Sequence, residues 1–182
     1  MLRIKIPSSE YYDEANNEFI EIRGAEITLE HSLVSLSKWE SKFHKPFMSN
    51  DPKTLEETIE YIKCMTITQN VRPELYSNIT QDLMDEINAY IDDRMTATWF
   101  NTHNEQNQIS RGGVVTAEII YYWMITLNIP MECQKWHLNR LMTLIKVCML
   151  KNAPAKKMSK EEIYEQQRKL NASRRAKLNS KG

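Results

Sequence analysis

The first 30 residues alternate between apolar and polar side chains. Leu2, Ile4 and Ile6 follow a period of two, and the same period returns between residues 19 and 29, where Gly24 interrupts it. Period-two patterning broken by a glycine-containing turn predicts two or three short antiparallel strands. Because an isolated hairpin is only marginally stable in water, we expect this ribbon to pack against helices or against the sheet edge of a partner.

From His31 onward, apolar residues recur every three or four positions, which predicts helices. The sequence Thr54-x-x-Glu57 is a capping box and marks the start of the second helix. The predicted helices cover about 32–43, about 54–67, a stretch that begins at Ser77 or Thr80, a stretch between Thr116 and Asn128, 131–150, and about 159–177.

The segment from Ile119 to Ile125 is apolar or aromatic at every position. Such a helix is buried either on most sides or on one face, with the other face offered to a partner, and we expect it to form the centre of the fold. The run is less than half of the about 20 residues that a membrane-spanning helix needs, so no membrane segment is predicted. Residues 101–113 are polar and contain Gly112 and Gly113, which predicts a mobile loop.

The composition favours helices over a turn-rich β-structure. The chain has only four glycines and six prolines in 182 residues, and it is rich in Lys, Glu, Asn, Met and Leu. We therefore predict a mainly α (α+β) fold: a helical bundle core with a short N-terminal antiparallel β-ribbon and a basic C-terminal helical arm. The predicted regions are a β-ribbon over 1–30, a helical core domain over 31–150 and the arm over 151–182.

A formal net charge of zero hides an uneven distribution of charge. Residues 1–150 carry 14 Lys and Arg against 21 Asp and Glu, whereas residues 151–182 carry 10 against 3. Asymmetry of this size indicates a tail that contacts something other than its own core. The predicted partner-binding cations of the arm are Lys156, Lys157, Lys160, Arg168, Lys169, Arg174, Arg175 and Lys177.

Three environments for the arm are open at this point. An acidic protein surface, including that of another copy of the chain, would make the arm a docking or self-association element. Nucleic acid is the less favoured partner, because Tyr164 is the only aromatic residue of the arm that could stack on a base. The third environment is solvent alone.

Sequence marks of catalysis are absent from the chain. It contains no G-x-S-x-G, no Walker loop and no H-E-x-x-H, and its four histidines are scattered. We therefore predict a protein that is not an enzyme and that uses no cofactor and no metal. His137, next to Trp136, is predicted to be a packed or hydrogen-bonded histidine. The three cysteines form no C-x-x-C pair and are expected to stay reduced.

Four segments resemble tail assembly chaperones of long-tailed phages. They are Glu30–Glu40, Thr116–Met124, Trp136–Leu141 and Lys156–Ser159, and the likeness extends over nearly the whole chain. The resemblance implies a small, largely helical, non-enzymatic protein that coats the tape-measure protein before tail-tube subunits polymerise around it. It also implies a location in the cytoplasm of the infected bacterial host.

Two alternatives stand beside this function. The first is a permanent structural protein of the phage head, neck or tail, which would be found in the virion. The second is a phage nucleic-acid-binding protein that uses the basic arm.

Overall fold

The computed structural model describes residues 1–13, 17–100, 114–153 and 160–178. The predicted loop over 101–113 therefore lies outside the described residues. The chain divides into two compact units, Met1–Met149 and Leu150–Gly182. The strands are β1 (Leu2–Ile6), β2 (Ser9–Asp13), β3 (Glu18–Ile22) and β4 (Ala25–Leu29). The α-helices are α1 (Leu33–Phe43), α2 (Leu55–Met65), α3 (Gln81–Asp92), α4 (Ala117–Thr126), α5 (Leu138–Asn152) and α6 (Lys160–Leu178).

These elements confirm the mainly α (α+β) fold class. The capping box of α2 is also confirmed, because Thr54 Oγ1 accepts from Glu57 N at 3.2 Å and Glu57 Oε2 accepts from Thr54 N at 2.9 Å. These two bonds satisfy backbone donors that the first turn of a helix leaves open. No helix within the described ranges is long and apolar enough to cross a membrane.

The N-terminal ribbon has four strands, so the prediction of two or three strands was too low. β1 pairs antiparallel with β4, where Ile6 lies opposite Ala25, and β2 pairs antiparallel with β3, where Ser9 lies opposite Ile22. Both pairs keep the same register, so the four strands are the two halves of one long hairpin. β2 escaped sequence analysis because its residues, SEYYD, lack an alternating apolar pattern.

Gly24 allows the two halves of the hairpin to approach closely where the pairing is interrupted. A Cβ atom at this position would lie 2.6 Å from the carbonyl oxygen of Ile6 and 2.8 Å from the backbone nitrogen of Ser8. Real side chains do not tolerate such distances to backbone atoms. A residue without a side chain is therefore required here.

Buried apolar side chains form two clusters within Met1–Met149. The first cluster joins the ribbon to α2 and α3, with Ile27 and Ile62 among its members. The second joins α1 to α4 and α5, with Leu36, Ile120 and Leu141 among its members. The ribbon thus shares a buried cluster with α2 and α3 within this unit.

Helix α1 contributes to both clusters. Its Trp39 belongs to the first cluster, whereas its Leu33 and Leu36 belong to the second. The indole nitrogen of Trp39 donates to the carbonyl oxygen of Glu57 at 2.8 Å, which links α1 to α2. The prediction that residues 119–125 form the centre of the fold was therefore wrong, since α1 takes that place.

The prediction of one long helix over 131–150 was also wrong. Residues Met131–Lys135 form a short 3₁₀ helix, and α5 begins only at Leu138. Between them, His137 pairs with Ser32 in an isolated β-bridge, and Leu138 N donates to His31 O at 2.7 Å. These backbone bonds hold residues 136 and 137 in an extended form, which a continuous helix would not permit.

The buried carboxylate of Glu40 holds the start of α4. Its Oε2 accepts from Ala117 N at 2.8 Å, and its Oε1 accepts from Phe47 N at 2.7 Å. A negative charge at a helix N-terminus is favourable because the first backbone N–H groups point toward it. Glu40 therefore ties α1 to α4 and to the chain that follows α1.

We expect Glu40→Gln to destabilise the protein by about 1–3 kcal/mol, because an amide has one acceptor atom for two backbone donors. The measurement is urea unfolding of both proteins at neutral pH. Glu86→Gln, an exposed change on α3, serves as the control and should stay within about 0.5 kcal/mol of the wild type. Equal stability of Glu40→Gln and the wild type would contradict the assigned role.

Candidate partner-binding surfaces

The cations predicted to bind a partner are distributed over the arm as follows. Arg168, Lys169, Arg174 and Arg175 are exposed on α6. Lys160 and Lys177 also lie within α6, whereas Lys156 and Lys157 lie outside the described residues. The structure thus places six of the eight predicted residues on one helix of 19 residues.

Charges are ordered along α6. Its acidic residues, Glu161, Glu162 and Glu165, lie within the first six residues, and five of its six basic residues follow them. This order complements the helix dipole, so part of the charge pattern stabilises the helix itself. Lys169 Nζ lies 2.8 Å from Glu165 Oε1, one turn earlier.

Three of the arginines form a basic surface that is separate from this ion pair. Arg168 and Arg175 are seven residues apart and lie on the same side of α6, two turns from each other. Arg174 is also exposed, about 100° further around the helix axis than Arg175. This surface, named here the basic face of α6, is the part of the arm best placed to contact a negatively charged partner.

Helix α4 carries an exposed apolar stripe. Tyr122 and Ile125 are 63% and 66% exposed, and Ile119 is exposed at the start of the same stripe. On the opposite side, Ile120 and Met124 are fully buried. Of the two environments that the sequence allowed for this helix, the structure shows the second, with one face buried and the other face open.

A second exposed apolar group lies on the β2–β3 hairpin. The rings of Tyr12 and Phe19 are both exposed and contact each other, with centroids 5.0 Å apart. They stand directly opposite each other in the register of the two strands. Aromatic pairs of this kind stabilise a hairpin across its strands, so this group has a structural role of its own.

Two histidines form a buried polar cluster at the junction of the two apolar clusters. The rings of His31 and His137 contact each other edge to face at 5.1 Å. His31 Nδ1 and the Tyr61 hydroxyl share a hydrogen bond of 2.6 Å, and His137 Nε2 lies 3.0 Å from Tyr90 O. The prediction of a packed or hydrogen-bonded His137 is confirmed. His31 was not recognised, because nothing in its local pattern indicates burial.

The polar cluster is buried, and the pKa values of three of its residues are shifted. Burial, with a smaller contribution from His137, lowers the pKa of His31 to about 4. Burial also raises the pKa of the hydroxyls of Tyr61 and Tyr90. The neutral ring of His31 and the neutral hydroxyls of Tyr61 and Tyr90 are therefore the stable forms at neutral pH. Their positions link β4, α2, α3 and the start of α5 rather than facing a cleft.

No group of three or more His, Cys, Asp or Glu side chains within the described ranges is placed to hold a metal ion. Comparisons of the chain with protein-family models, with curated proteins and with solved structures find no match.

We expect acid to destabilise the protein through His31. Its pKa is about 4 in the folded state and about 6.5 in an unfolded chain. The unfolded state therefore binds more protons between these values, and stability falls as the pH drops from about 6.5 to about 4, by about 3 kcal/mol in total. Thermal unfolding measured across this pH range tests the prediction.

The variant His31→Asn supplies the matched comparison, since its amide keeps a polar atom near the position of Nδ1. We expect it to be less stable than the wild type at neutral pH but to lose less stability between pH 6.5 and pH 4. His44→Gln, a change at an exposed position, controls for the removal of a histidine. An identical pH dependence in His31→Asn and the wild type would contradict the prediction.

Proposed function

We propose that this protein is a tail assembly chaperone of a long-tailed phage and that it acts by binding the tape-measure protein rather than by catalysis. The observation that carries the proposal is the apolar stripe of Ile119, Tyr122 and Ile125 on α4. A tape-measure protein is a long helical chain whose apolar stripes aggregate when they are bare. An apolar helix stripe of the chaperone can cover such a surface in the way that helices pack in pairs.

The geometry of α4 favours this use. The helix is held at its start by Glu40 and along its buried side by Ile120 and Met124, so the open side is presented by a fixed scaffold. Residues spaced by three positions lie along one side of a helix, so a partner helix could pack alongside them. Glu118, the one charged residue of α4, is exposed on the same side as Tyr122 and Ile125, four and seven positions before them, so the stripe carries one carboxylate at its start.

The basic face of α6 supplies a second kind of contact in this proposal. Its arginines would contact acidic protein surfaces, and the proposal includes self-association of the chain through the arm. Charged contacts of this type govern association rates and specificity, whereas apolar contacts supply most of the affinity. We therefore expect binding through the basic face of α6 to weaken as salt is added, and binding through the apolar stripe of α4 to depend less on salt.

Release in this proposal needs no nucleotide. The chaperone would act in the cytoplasm of the infected bacterial host, where binding lowers the free concentration of the aggregation-prone tape measure. Tail-tube subunits would then displace it by competing for the same helical stripes. Mass spectrometry of purified virions separates this role from that of a permanent virion protein, since a chaperone is abundant in lysates and is not stoichiometric in finished particles.

We expect the double variant Tyr122→Ser, Ile125→Ser to lose the ability to keep the co-expressed tape-measure protein soluble, because it removes most of the exposed apolar stripe. The measurement is the soluble fraction of the tape measure with wild-type and variant chaperone. Leu55→Ser, which is a matched control at a 70% exposed site on α2, should leave solubility unchanged. Solubility that is the same without the chaperone as with it contradicts the proposal.

We also expect the triple variant Arg168→Gln, Arg174→Gln, Arg175→Gln to bind its protein partner more weakly at low salt and with a flatter salt dependence. Exposed charges are screened by salt, so the difference from the wild type should shrink at high salt. The amount of tape measure co-purified at two salt concentrations is the readout. Lys169→Gln, at a cation already paired with Glu165, is the control. An unchanged salt dependence in the triple variant contradicts this role for α6.

A further inference from the structure

A cavity of about 320 Å³ lies between α5 and the segment that follows α3. Its wall includes Arg94, Trp99 and Phe100 from that segment and Asn139, Thr143 and Lys146 from α5. The described residues of the wall include two cations and no carboxylate, although the surrounding residues 1–150 carry an excess of acidic groups. This combination of charge and aromatic rings differs from both the α4 stripe and the basic face of α6.

The side chain of Trp99 is 77% exposed, although its large ring is apolar. The guanidinium carbon of Arg94 lies 4.5 Å from the centroid of its ring. A stacked guanidinium covers one face of an indole while its N–H groups point outward in the plane and can still donate hydrogen bonds. An exposed ring beside a cation with outward donors is suited to a ligand that has a flat apolar part and an anionic part.

The wall of the cavity is fixed by hydrogen bonds. Asn139 Nδ2 on α5 donates to the carbonyl oxygens of Ile91 and Asp93 at 2.9 and 2.8 Å, which holds the end of α3 against α5. Lys146 Nζ lies 4.2 Å from the centroid of the Phe100 ring, so a second cation and ring pair lines the same space. Two cation and ring pairs therefore lie beside a backbone segment that Asn139 holds against α5.

We propose that this cavity binds a nucleoside phosphate, with the base stacked on Trp99 and the phosphate held by Arg94. Base stacking on aromatic side chains together with basic side chains at the phosphate is how proteins bind single nucleotides of a strand. The same chemistry would hold a free nucleotide. This inference is independent of the proposed chaperone function, so a result that contradicts one of the two proposals leaves the other standing.

The experiment uses the full chain and three probes: adenosine monophosphate, a fluorescein-labelled ten-residue oligothymidylate, and pyrophosphate. Calorimetry and fluorescence anisotropy measure their affinities. The triple α6 variant described above serves as a second background, in which the basic face of the arm contributes less. Tighter binding of the oligonucleotide than of the mononucleotide in that background identifies a single strand as the source of the ligand, and equal binding identifies the free nucleotide.

We expect Trp99→Leu to weaken nucleotide binding about tenfold, the loss of one base-stacking contact. Trp99→Phe, which keeps an aromatic face, should restore part of this affinity, and Arg94→Ala should weaken binding as well. Arg140→Ala is the matched control, because Arg140 lies 4.2 Å from the ring of Trp136 but does not line the cavity. Its affinity should equal that of the wild type.

Three results would overturn the proposal. The first is the absence of binding for both nucleotide probes. The second is equal binding of pyrophosphate and nucleotide with no effect of Trp99→Leu, which describes a simple anion site. The third is loss of tape-measure solubility in Trp99→Leu with unchanged nucleotide affinity, which assigns the exposed indole to a protein partner.

Discussion

The burial of α1 in both apolar clusters is the constraint on which the rest of this structure depends. Along its buried stripe, Leu33 and Leu36 near the start of the helix pack with α4 and α5, and Trp39, one turn later, packs with the ribbon and α2. Each fully buried side chain of this size stabilises the fold by about 1.5–3 kcal/mol. Because the same helix backbone carries both contacts, a shift of α1 changes both clusters together. Glu40 extends this coupling to the start of α4, so the apolar stripe on α4 is positioned by the centre of the fold.

Much of the helical structure could be predicted from local patterns. Leu33, Leu36 and Trp39 follow the helical period, and the pair Thr54 and Glu57 forms the capping box that its spacing indicates. These patterns are local, and a local pattern predicts the structure correctly when the tertiary contacts favour the same structure. Where a long-range contact overrides a local pattern, the prediction failed. The segment at 136–137 reads as helix but pairs with Ser32, more than 100 residues earlier.

Some features of the protein surface could be predicted from the sequence, and others could not. The excess of cations in the arm is visible in the composition, and the exposure of Arg168 and Arg175 follows from it. Residues 119–125 of α4 are apolar or aromatic at every position, so their pattern cannot say which side faces water, and tertiary packing decides that Tyr122 is exposed. The buried histidine cluster joins residues 31, 61, 90 and 137, and no local signal connects them. The exposure of Trp99 is likewise visible only in the structure, because Ile91 and Met95 precede it at helical spacing and its local pattern does not distinguish it from a buried residue.

The common register of the N-terminal hairpin has a consequence for how this region can change in length. The pair of Ile6 and Ala25 and the pair of Ser9 and Ile22 share one register. The β2–β3 pair therefore extends the β1–β4 pair. Removing or adding two residues on each strand between them would keep every remaining side chain on its own face, because faces alternate with every residue. Adding or removing a single residue in β3 only would instead turn Ile22 away from the core. Symmetric growth or shortening is therefore the form of variation that this hairpin tolerates.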